Sequence, residues 1–133
     1  MDTSSAHHDS LDPTNLDNFN NKPNVPSSDG ILGLLDASSG STELVARRER
    51  VEFAPGRETE MLVYRAERGE RVWLNPTFVV KAGNGFSANL TNRLDEETTI
   101  HWHGLHLHWQ MDGHPLPLTP RRVGPGRGHA YNA

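Results

Sequence analysis

The chain has 133 residues, a net charge of −4 with neutral histidines, 34% hydrophobic and 7% aromatic residues, and a mean hydropathy of −0.68. That length fits one domain with a small core, since apolar usage in an average soluble domain is nearer about 45–50% with glycine counted. The acidic balance argues against nucleic acid or an acidic membrane surface as partner, no run approaches the roughly 18 apolar residues of a membrane span, and the absence of cysteine excludes disulfides, thiolate nucleophiles and thiolate metal sites.

Residues 1–30 are rich in Asp, Asn, Ser and Pro and poor in apolar anchors, a composition that cannot offset its ordering entropy. We therefore expect a flexible N-terminal arm over 1–41. It carries His7 and His8, and its longest apolar cluster, Ile31–Leu35, is short and broken by Gly33. No basic segment followed by an apolar run marks a secretory signal, which leaves the compartment open, cytoplasmic if the chain start is genuine.

From Thr42 the texture changes. In "TELVARRERVEF" Val51 and Phe53 alternate with charged residues, and "TEMLVYRA" follows the turn signal Ala54-Pro55-Gly56. "RVWLNP" and "TFVVKA" come next with Asn75-Pro76 between them, and then "AGNG" supplies a turn. In "FSANLTN", Phe86, Ala88 and Leu90 alternate with polar residues, the pattern of a half-buried strand. Helical periodicity is absent. The expectation is an all-β unit over 42–133 with strands near 43–53, 58–66, 71–81, 86–92 and 98–103. The prolines and glycines crowded beyond Pro115 make 116–133 irregular by expectation, and Arg121, Arg122 and Arg127 there form a locally basic, solvated tail.

Five of the eight histidines fall in "TTIHWHGLHLHWQMDGHP", residues 98–115. On a strand, His101 and His103 project from one face and Trp102 from the other. Residues i and i+2 are roughly 6.5–7 Å apart along a strand, so the pair is better suited to two neighbouring ions than to one. Imidazole serves copper, zinc, iron and nickel alike, and an arbitrary His-x-His is more often solvated than ligating. Taken by itself, Asp112 reads first as the aspartate of an Asp-Gly turn.

The stretch "NRLDEETTIHWHGLHLHWQMDGHP" resembles the first copper-binding segment of multicopper oxidases, the laccase and bilirubin-oxidase-like family built from cupredoxin domains. "PTFVVKAGNGFSANLTNRL" resembles the strand pair leading into it, the resemblance covers about residues 42–116, and "LDNFNNKPNVP" is similar to the N-terminal arm of bacterial members. It implies an incomplete cupredoxin-like Greek-key β-sandwich, a partial N-terminal domain preceded by the disordered arm. It also implies His101 as ligand of the type 2 copper, His103 as ligand of one type 3 copper, and Asp112 as a proton relay near the trinuclear cluster that reduces dioxygen to water. His106, His108, His114 and Met111 match no ligand.

The family's chemistry needs a type 1 copper held by one Cys and two His, plus four His-x-His pairs. Only His101–His103 of this chain matches such a pair, and there is no cysteine, so the resemblance implies an oxidoreductase family but not a catalytically complete chain. The implied cofactor is copper, with the remaining ligands supplied from outside these residues. The implied partners are the remaining cupredoxin domains of a full-length oxidase, with dioxygen and a small reducing substrate acting on that parent. Two other readings stay open: a small His-rich copper- or zinc-binding module using His101, His103, His106 and His108, and a metal-free truncated β fragment.

Overall fold

The computed structural model describes residues 30–38, 40–114 and 122–133. These residues contain strands and no helix: β1 (Leu34–Asp36), β2 (Ser41–Ala54), β3 (Arg57–Arg68), β4 (Arg71–Leu74), β5 (Thr77–Val79), β6 (Ser87–Asn92) and β7 (Gly128–Asn132). The all-β expectation holds. Five strands form one sheet in the order β4-β3-β2-β6-β7, and β1 pairs with β5 in parallel as a second, two-stranded sheet.

The long strands follow from their alternation. Thr42, Leu44 and Ala46 of β2 are buried, and Ala46 lies opposite Tyr64 of β3. Farther along, the opposite face takes over, and Val51 packs with Val63, Leu74 and the half-buried Ile31, Met61 and Val72. Side chains at odd and even positions leave opposite faces of a strand, so one continuous β2 serves two apolar clusters. Beyond the segments that β6 and β4 cover, β2 and β3 pair only with each other among the described residues. Cross-strand ion pairs Arg48–Glu60 at 3.3 Å and Arg50–Glu58 at 3.5 Å line this ribbon, and such charges discourage edge-to-edge association.

The larger cluster lies between the two sheets. It joins Leu35, Leu44, Trp73, Leu90, Val123 and Tyr131 to a fringe of half-buried rings, Phe78, Phe86 and Trp102. Asn92 stands at its margin, fully buried: Nδ2 donates to the carbonyls of Glu96 (2.8 Å) and Val123 (2.7 Å), and Oδ1 accepts Leu94 N–H (2.9 Å). A buried amide survives only when its hydrogen bonds are made inside, and these bonds fix the chain as it leaves β6 toward the histidines.

Four expectations differ from the structure. β1 lies inside the stretch assigned to the arm, because Leu35 is 1% exposed in the main cluster and the strand gains a parallel partner in β5. Residues 71–81 divide into β4 and β5, since Asn75 turns the chain with φ of 51° and Pro76 brings no N–H to a ladder. The tail is not irregular throughout: β7 pairs antiparallel with β6, driven by Tyr131, which is 1% exposed. Finally, 98–103 is not a strand, because among the described residues its only ladder contact is the single bridge Thr98–Val123. Arm residues 1–29, with His7 and His8, and residues 39 and 115–121 lie outside the described residues.

Candidate metal centre

The segment bearing His101 and His103 runs without a neighbouring strand among the described residues and enters a turn at His103. Thr98 exchanges two backbone hydrogen bonds with Val123, at 3.1 and 2.7 Å. After that, side chains take over. Tyr64 Oη donates to the Thr99 carbonyl at 2.6 Å, Ile100 N–H donates to Tyr131 Oη at 3.1 Å, and Thr99 Oγ1 donates to the Gly113 carbonyl at 2.8 Å. The alternation expected of a strand survives: His101 and His103 are exposed while Trp102 is half-buried against Phe78, Phe86 and Tyr131.

The turn at residues 112–113 folds back onto this segment. Gly113 is buried with φ of 69°, and a Cβ there would collide with the Ile100 carbonyl. Only glycine combines that left-handed conformation with so close an approach. The consequence is that the Asp112 carbonyl accepts a hydrogen bond from His101 Nδ1 at 2.8 Å, with Asp112 Oδ2 3.6 Å from the same nitrogen. A carbonyl can only accept, so Nδ1 carries the proton and Nε2 keeps its lone pair. A backbone carbonyl on the other ring nitrogen is the usual way a ligating histidine has its tautomer and orientation set.

Around His101 stand two more imidazoles. The His103 ring centroid is 5.8 Å away at 78°, and that of His114 is 5.7 Å away at 61°. Among the described residues no group of three His, Asp or Glu converges to hold an ion. The donor set therefore fits copper in part: His101, with an oriented ring and a free Nε2, and His103 beside it are suitable donors, but they do not complete a site. His106 and His108 are exposed, and His108 Nδ1 accepts Gln110 N–H at 3.4 Å, within its own loop. Met111 is half-buried, and its Sδ accepts Asn132 N–H at 3.4 Å, a packing contact.

His101, Trp102 and His103 line an open groove of ≈ 690 Å³ together with Phe78, Phe86 and Leu105. Trp102 Nε1 is buried there without an acceptor among the described residues. The proximity of His114 to His101 and the two tyrosine contacts were not legible in the sequence. The Asp112-Gly113 pair was the available signal for the first, since a turn at that point must return the chain to the motif.

A family model described as multicopper oxidase matches residues 48–133, more than half of the chain. Multicopper oxidase mco of Staphylococcus aureus is 37% identical over 75 residues, 56% of this chain and 16% of that protein. Multicopper oxidase MmcO of Mycobacterium tuberculosis is 38% identical over 56 residues, 42% of this chain and 11% of that protein. Among solved structures, the McoA multicopper oxidase of Aquifex aeolicus superposes with a TM-score of 0.65 and 30% identity, covering 78% of this chain and 22% of that one. The laccase-like multi-copper oxidase CueO of Ochrobactrum sp. superposes at 0.60 with 25% identity, over 77% and 21%. The chain thus spans less than a quarter of each of these relatives.

Proposed function

The chain belongs to the multicopper oxidase family, and we propose that it supplies the first corner of that family's trinuclear copper cluster, His101 to the type 2 copper and His103 to one type 3 copper. Its fold is an incomplete cupredoxin-like sandwich, and copper is the cofactor its family implies. The observation that carries the proposal is the ring pair itself: two exposed imidazoles 5.8 Å apart, one with Nδ1 held by the Asp112 carbonyl, which leaves Nε2 of the neutral ring as the nitrogen with a lone pair to give. In the family's full-length oxidases the cluster reduces dioxygen to water with electrons that a type 1 copper takes from the reducing substrate.

What this chain's own residues contribute is orientation and proton handling. The Asp112 carbonyl sets the His101 tautomer, while its carboxylate, 3.6 Å from the same nitrogen, is placed to hold a proton at Oδ2 and pass it toward the cluster. Trp102, packed between Phe78 and Phe86, anchors the backbone between the two ligands and keeps both rings on one side. The type 1 copper and the other three His-x-His pairs come from further cupredoxin domains.

Oxygen uptake tests the proposal. The 133-residue chain, supplied with Cu2+ and a phenolic reductant, should consume oxygen no faster than free copper. Sustained turnover abolished by chelation would overturn the assignment, because it would mean that the chain holds a complete oxidase site.

A further inference from the structure

The chain has two tyrosines, and their hydroxyls meet the backbone just before His101, Tyr64 at the Thr99 carbonyl and Tyr131 at the Ile100 N–H. Tyr64 comes from β3 and Tyr131 from β7, so they approach from well-separated strands of the large sheet. We propose that Tyr64 and Tyr131 act as positioning residues that replace a strand ladder along residues 98–101 and thereby set the His101 ring for its metal; the proposal rests on the reading of His101 as a ligand.

The proton arrangement is determined by the partners. Thr99 Oγ1 gives its proton to the Gly113 carbonyl at 2.8 Å, so at its contact with Tyr131 Oη, 3.2 Å away, it can only accept. Tyr131 Oη therefore donates to Thr99 Oγ1 and accepts Ile100 N–H at 3.1 Å. Tyr64 Oη gives its proton to the Thr99 carbonyl at 2.6 Å, leaving it to accept from Thr98 Oγ1 at 3.3 Å.

The result is a continuous chain of hydrogen bonds from Tyr131 through Thr99 to Gly113, the residue next to the carbonyl that holds His101 Nδ1. Backbone N–H and C=O groups need partners wherever they are shielded from water. Along Thr99 and Ile100 those partners are phenols whose own positions are fixed by the core: Tyr131 is 1% exposed, and its ring packs on Trp102 and His129 at 5.9 and 4.6 Å. Two hydroxyls, one on the buried Tyr131 and one on the half-buried Tyr64, hold the segment at fixed points where no ladder does.

The test uses Tyr131→Phe and Tyr64→Phe, which keep the rings and remove only the hydroxyls. The first readout is the nitrogen spectrum of the histidine rings in mildly alkaline buffer, which reports which nitrogen of His101 carries the proton. The second is Cu2+ affinity, followed by paramagnetic broadening of the His101 and His103 signals. In the wild-type chain His101 should be a single Nδ1–H tautomer. In each folded variant that preference should relax toward a mixture, and Cu2+ affinity should fall roughly tenfold or more, the usual cost of losing outer-shell support.

Unchanged tautomer and affinity in a folded Tyr131→Phe would overturn the proposal, and if that variant does not fold, the same outcome in Tyr64→Phe overturns it. The tautomer readout needs no metal. A wild-type chain whose His101 does not respond to Cu2+ would therefore count against the ligand reading, while the tautomer shift in the variants would still decide the positioning role.

Discussion

Replacing Gly113 with alanine should damage the histidine segment far more than its single added methyl suggests. Gly113 has φ of 69°, where a side chain costs about 1–2 kcal/mol through its own carbonyl contacts. The new Cβ would also sit against the Ile100 carbonyl, far inside the 3.0 Å that real carbon atoms respect. Since both atoms belong to backbone or Cβ, no side chain can rotate away, and the turn itself must move. That movement breaks the Thr99 Oγ1 to Gly113 and His101 Nδ1 to Asp112 hydrogen bonds, both 2.8 Å. With about 1 kcal/mol for each bond, the expected loss is about 3–4 kcal/mol, a large share of a small domain's stability. Gly56 supplies the control: its φ is 72°, and a Cβ there meets nothing within 4 Å. Gly56→Ala should therefore lose only the backbone term. Urea denaturation of both variants reads the difference, and equal losses within about 0.5 kcal/mol, the usual additivity error, would refute the idea that the turn is pressed onto the histidine segment.

Asn92→Ala should destabilise the chain by about 3 kcal/mol, because it leaves the Glu96 and Val123 carbonyls and the Leu94 N–H without their buried partner; urea midpoints check this, and a loss under about 1 kcal/mol, the worth of a single such bond, would contradict it. Asp36 accepts the Ser38 N–H at 2.8 Å, and this hydrogen bond lowers its carboxyl below the ordinary value of 3.8. Its folded pKa is depressed, so its contribution is present above 3.8 and lost as pH falls through the lowered folded value. Asp36→Ala should be less stable than wild type near neutrality and converge with it in strong acid. A stability gap that is constant across that range would contradict the assignment. His101→Ala should remove the Cu2+ response of both rings, whereas His108→Ala, in the outer loop, should leave it intact; a reversed pattern would favour the His-rich module over the cluster corner.

The parts of the fold that were legible in the sequence are those whose apolar pattern is local. β6 alternates Ala88 and Leu90 with polar residues, β2 alternates Val51 and Phe53 with charged ones, β3 carries the apolar run Met61–Tyr64 after the Pro55-Gly56 turn, and each bounds one of the apolar clusters. β1 has three residues and β7 five, too few for a period to register. Their strand state comes from Leu35 and Tyr131 finding the core, and from β5 and β6 offering a free edge. Residues 98–103 show the opposite failure. Their alternation is real, and it leaves both histidines exposed, but no strand among the described residues lies alongside to complete a ladder.

For the site, the His-Trp-His-Gly and Asp-Gly elements were readable because they are local. The supports were not. Tyr64 and Tyr131 are distant in sequence and carry no motif, and nothing in "RGHAYNA" announces that its tyrosine will reach Ile100. Ring spacing is likewise a tertiary quantity. The strand rise suggests roughly 6.5–7 Å between neighbours on a face, and the turned backbone brings the His101 and His103 centroids to 5.8 Å.

The most direct measurement is the location of copper on this chain. Sub-stoichiometric Cu2+ added to nitrogen-labelled wild type and to the His101→Ala, His103→Ala double variant should broaden signals around His101, His103 and Asp112 in the first, and leave that region sharp in the second. Broadening that persists unchanged in the double variant, or that centres on His106 and His108, would contradict the assignment of His101 and His103 as the copper ligands.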